Sequence, residues 1–166
     1  MEDNFDFFIK LFDKQYDREL QIKSSVESRS GIMIALIGTM TTIILNGIDL
    51  KIDFSKTDLN FMCIFVNLLK IIIVISIFIL LLFSFIKFCS VLTTNSFQVI
   101  DLSEYQEDIT IESSKLKQMK LDNFNECLDS IVKNNNDKCK KYKQGIKLIE
   151  LTVTLITALG IFSIFI

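Results

Sequence analysis

Apolar and polar positions follow two different patterns along this chain. Three stretches are almost unbroken in apolar character, residues 31–48, 61–86 and 148–166. Runs of about 18 or more apolar residues read as membrane-spanning helices. The first, "GIMIALIGTMTTIILNGI", rises roughly 27 Å as a helix, close to the thickness of bilayer hydrocarbon. The second would reach about 39 Å, so it tilts or projects beyond the bilayer at one end. It is too short for a hairpin of two spans, which needs about forty residues.

Elsewhere the apolar residues recur every three or four positions. In 1–30, Phe5, Phe8, Phe12, Tyr16 and Leu20, widened by Ile9, fall on one face of a helix. Glu2, Asp3 and Asp6 sit in its first turn, where the helix dipole favours negative charge. An acidic start, with the apolar run beginning some thirty residues in, does not describe a signal peptide. No Pro or turn cluster separates this helix from the first span. A polar connection, 49–60, leads to the second span, and a longer polar segment, 87–147, follows it. The first part of that segment is acidic and irregular in pattern. From Ser113 it reads as helix, with Leu121, Phe124, Leu128 and Ile131 on one side. "NNND", 134–137, is a turn or a polar stretch of helix. Beyond it Cys139, Tyr142, Ile146, Ile149 and Val153 continue a three–four spacing into the last span.

The expected fold is an all-α integral membrane protein with three transmembrane helices. The N-terminal amphipathic helix and the segment before the last span form a cytoplasmic helical bundle, with Phe5, Phe8, Phe12 and Tyr16 packed against Phe124, Leu128 and Ile131. Lys and Arg near the span ends set the orientation. Five precede the first span, ten lie between the second and third, and only Lys51 and Lys56 lie in 49–60. The N-terminus and 87–147 are therefore expected inside the cell, and 49–60 and the C-terminus outside.

Composition narrows the function classes. Half of the 166 residues are hydrophobic, and the chain has no His, Pro or Trp. Without His, the usual general base and the commonest metal ligand are missing, and no nucleophile–base, phosphate-loop or metalloprotease motif appears. The expectation is no enzyme and no cofactor. A net charge of −2 lacks the basic stripe of a nucleic-acid binder. Cys63, Cys89, Cys127 and Cys139 show neither metal spacing nor a disulfide framework. Abundant Ile, Asn, Lys and Phe point to an AT-rich bacterial genome, and so to a multi-pass protein of the cytoplasmic (inner) membrane.

Polar residues inside the apolar runs are the candidate functional groups. Gly31, Ala35, Gly38, Thr42 and Asn46 share one face of the first span, a stripe that lets helix backbones approach closely in lipid or lines a pore. Lys70 is the only charge in the second run. It either snorkels to the outer headgroups or lines a water-filled path together with Asn67, three residues away. Glu150 lies one turn into the third span on a stripe with Thr154, Thr157 and Gly160. It serves as an interfacial glutamate beside Lys147 or Lys143, or forms a cation-favouring ring around a pore.

The stretches "YDRELQIKSSVESRSGIMIALIGTMTTII", 16–44, and "NNNDKCKKYKQGIKLIELTVTL", 134–155, resemble the small bacterial transmembrane effectors of the SLATT and Pycsar-type antiviral defence group. Both share a Glu-, Lys- and Arg-rich helix entering a first span through small residues, and an Asn- and Lys-rich approach to a last one. The resemblance implies membrane disruption or pore formation that halts the infected cell. Those effectors are usually described with two spans, whereas three are read here, and no separate nucleotide-binding domain is visible. A cyclic-nucleotide or protein signal would then be read by the helical bundle. The expected partners are the lipid bilayer, further copies of the chain and that signal. The competing expectation is a non-conducting scaffold or sensor subunit that recruits a soluble partner.

Overall fold

A computed structural model of the chain describes residues 2–47, 61–93 and 113–164, with side chains over 7–46, 64–93, 118 and 121–161. All the elements described are helices: α1 (Glu2–Gly47), α2 (Phe61–Leu92) and α3 (Ser113–Ile164). Each is long and apolar enough to cross a membrane. Their lengths, 46, 32 and 52 residues, follow from a sequence with no proline to remove a backbone donor. No described residue has a positive φ. Helix α1 therefore runs through the junction of the expected amphipathic and spanning segments, and 134–137 is helical. The connection 49–60, and the irregular stretch up to Glu112, lie outside the described residues.

Burial on all three helices recurs at alternating steps of three and four. On α1 the covered positions include Ile9, Phe12, Tyr16, Glu19, Lys23, Val26, Ser30, Met33, Ile37, Met40 and Ile44, with Ile22, Glu27, Ile34 and Thr41 half-buried beside them. On α2 the buried positions are Val74, Ile77, Leu81, Ser84, Phe88 and Val91. On α3 the covered positions include Ile131, Asn135, Lys138, Tyr142, Gly145, Ile149 and Thr152. A mean repeat of 3.5 residues is the seam of a coiled coil, in which each side chain enters a gap on the facing helix.

Two departures from the sequence reading follow from this seam. Helix α2 continues past Ile86 to Leu92, because Phe88 and Val91, both fully buried, extend its inward face beyond the charge of Lys87. On α3 the inward residues are Gly145 and Thr152 rather than Val153, which is exposed. A stripe traced through the most hydrophobic residues drifted one position off the true contact line.

The chain divides into two compact units. Unit 1 comprises Met1–Ser28 and Thr93–Lys140. Its described contacts pair Phe12 with Phe124, Glu19 with Asn135 and Glu27 with Lys138, so α1 and α3 run parallel there. Unit 2 comprises Arg29–Leu92 and Lys141–Ile166. Ser84 bonds to Gly145 and Phe88 meets Tyr142, so α2 is antiparallel to α3. Ile37, Ile44, Ile77, Leu81, Phe88 and Ile149 form its core.

Candidate functional site

The most demanding chemistry in unit 1 is a polar layer within the seam. Asn135 and Lys138, three residues apart on α3, are only 3% and 2% exposed. The Asn135 amide nitrogen donates to the backbone carbonyl of Glu19 and to its Oε2, both at 2.8 Å. Because both partners are acceptors, the amide orientation is fixed, and the Asn135 Oδ1 points away, buried and without a partner among the described residues. Lys138 Nζ pairs with Glu27 Oε1, the carboxylate side chain keeping 28% exposure. Taking an ammonium group out of water is costly unless a carboxylate accompanies it, so the two residues depend on each other.

On the N-terminal side of this layer the unit is aromatic. Phe12 stacks on Phe124 with centroids 4.5 Å apart and planes at 17°, and Tyr16 stacks on Phe12 at 6.0 Å. Ile131 is buried and Leu128 half-buried. Phe8 is mostly exposed and lines an open apolar groove of about 250 Å³ with Phe12, Leu121 and Phe124. The side chain of Phe5 lies outside the described residues.

In unit 2 Gly145 lies against the ring of Phe88. A β-carbon at Gly145 would stand 2.7 Å from a ring carbon of Phe88, whose side chain has no exposed surface. The Ser84 hydroxyl donates to the Gly145 carbonyl at 3.0 Å. Glycine is required here because the ring occupies the place of a side chain.

The polar candidates of the apolar runs do not converge. Gly31, Ala35, Gly38, Thr42 and Asn46 are all exposed and turned away from the seam of α1, although Gly38 also edges an apolar groove against Phe78, Leu81 and Phe85 of α2. A β-carbon at Gly31 or Gly38 would meet no atom within 4 Å. Glu150, Thr154 and Thr157 are likewise exposed on α3. The two threonine hydroxyls donate to the carbonyls of Glu150 and Val153, so the Glu150 carboxylate is the group of this stripe with no such internal bond among the described residues. Lys70, half-buried, and Asn67, exposed, continue the three–four spacing of α2 ahead of Val74. No three of the described Cys, Asp and Glu side chains stand together as a metal site.

Glu19, Glu27, Asn135, Lys138, Ser84 and Gly145 escaped the sequence reading. For the α3 residues the signal was the three–four spacing itself, which runs through 131, 135, 138, 142, 145, 149 and 152 once polar residues and glycine are admitted to a seam, whereas Glu27 lies one position off the corresponding line of α1. The chain matches no family model, no curated protein and no solved structure.

Proposed function

We propose that the chain is a homo-oligomeric membrane effector. It permeabilises or depolarises the bacterial inner membrane on a cytoplasmic signal, as the antiviral-defence proteins it resembles are taken to do. The observation that carries this reading is the outward placement of Glu150 on a helix able to span lipid. A carboxylate facing hydrocarbon is unfavourable, and intramembrane charges usually face other protein or a water-filled cavity. Further copies of the chain would supply both. The inside of unit 2 is filled by Ile37, Ile77, Leu81 and Ile149, so conduction would run between copies and not through one. The exposed stripe of Gly31, Ala35, Gly38, Thr42 and Asn46 gives neighbouring helices room to approach. In this reading unit 1 is the cytoplasmic bundle that receives the signal.

The test is induced expression in bacteria carrying a potential-sensitive dye. Depolarisation by the native chain that weakens in Glu150→Gln and changes in Lys70→Leu is the expected result. A membrane potential that stays intact in cells supplied with the signal would refute it.

A second reading, a non-conducting scaffold, is favoured by one observation. Phe7, Phe8 and Leu11 are each at least half exposed in unit 1, an apolar surface suited to a soluble partner. Under that reading Glu150→Gln and Lys70→Leu leave the protein's effect on cells unchanged.

A further inference from the structure

We infer that the polar layer of unit 1 is a register lock, selecting one axial alignment of α1 against α3. The apolar seam alone does not choose strongly. Its repeat of seven residues allows either helix to slide by one heptad and still bury carbon against carbon. The polar layer removes that freedom. In the observed alignment Asn135 meets Glu19 and Lys138 meets Glu27. Advancing α1 by seven residues would bring Val26 to Asn135 and Ile34 to Lys138. Retreating by seven would bring Phe12 and Leu20 to the same positions. In both slipped states the Lys138 charge, 2% exposed in the native pairing, loses Glu27, its only described carboxylate, and meets Ile34 or Leu20 in its place.

The lock is also imperfect as a stabiliser. It holds a buried Asn135 oxygen with no partner among the described residues, and an ammonium whose removal from water an apolar pair would not incur. A polar layer of this composition trades stability for alignment, as a single asparagine does at an inner position of a coiled coil. This inference does not rest on the proposed membrane activity, because it concerns contacts within unit 1.

The test uses the full chain in detergent, with its native cysteines replaced and new ones introduced in pairs. Phe12→Cys with Phe124→Cys reports the native alignment, since those rings are stacked. Phe12→Cys with Lys117→Cys, and Phe12→Cys with Ile131→Cys, report slips of one heptad in either direction. With the polar layer intact the native pair should oxidise at least about tenfold faster than either slipped pair. In Glu27→Leu/Asn135→Leu/Lys138→Leu that preference should fall below about threefold while helicity is kept. Native-only cross-linking in this apolar variant would overturn the lock.

If the triple variant does not fold, Glu27→Lys alone decides, because it opposes two ammonium groups in the native alignment only. Slipped cross-links support the inference, and an unchanged native pattern refutes it. The exchange Glu27→Lys/Lys138→Glu should restore the native pair.

Discussion

Glu27 and Lys138 form one ion pair, yet the two residues are not equivalent. The lysine side chain is 3% exposed and the glutamate 28%. Removing the glutamate strands a buried charge, whereas removing the lysine leaves a carboxylate that still reaches water. Glu27→Ala should therefore destabilise the protein by about 3–5 kcal/mol, and Lys138→Met by clearly less. Denaturant unfolding followed by circular dichroism would check the order. The glycines divide in the same way. Gly145→Ala drives a methyl group into the Phe88 ring and should cost about 1–3 kcal/mol. Gly38→Ala meets no atom within 4 Å in a single chain and, in the dissociated protein, should gain up to about 1 kcal/mol from helix propensity. Thermal melts of the two variants should move in opposite directions.

At the scale of elements, much of the architecture was legible in advance. The three apolar runs lie in α1, α2 and α3, and Phe12 does pack on Phe124 as the aromatic spacing suggested. Runs of apolar residues are visible because lipid-length helices need them whatever their neighbours are. The inward faces were harder to read. In a helix apolar all round, hydropathy no longer separates the face that meets protein from the face that meets solvent. Gly31, Gly38 and Thr42 read as a stripe for close packing in lipid, and within one chain they face outward, whereas the internal seam of α1 runs through Ser30, Ile37 and Ile44. In the polar stretch of α3 the opposite confusion arose. Asn135 and Lys138 resembled solvated surface, and only the position of α1 reveals that they are covered. The residue that betrays such a layer is its partner, which lies more than a hundred positions away in sequence.

For the whole molecule, the unsatisfied surfaces point outward. One chain of 19.1 kDa presents Glu150 and a small-residue stripe on helices that can span lipid, with a filled interior between them. Under the proposed effector reading an assembly of copies answers both features, and the purified protein should then have a mass that is a multiple of one chain. Native mass spectrometry from detergent would read that directly, and a monomer under all mild conditions would count against the effector reading. Glu150→Gln should shift the distribution toward smaller species if the carboxylate lies between copies.

The near-complete enclosure of Lys138 has a chemical corollary. A reagent that methylates amines in the folded protein should reach exposed Lys140 and Lys143 and spare Lys138. That protection would vanish as soon as the helices of unit 1 part. A single unreacted amine thus becomes an internal gauge of whether the two helices are together, readable by peptide mass and independent of any assay of activity.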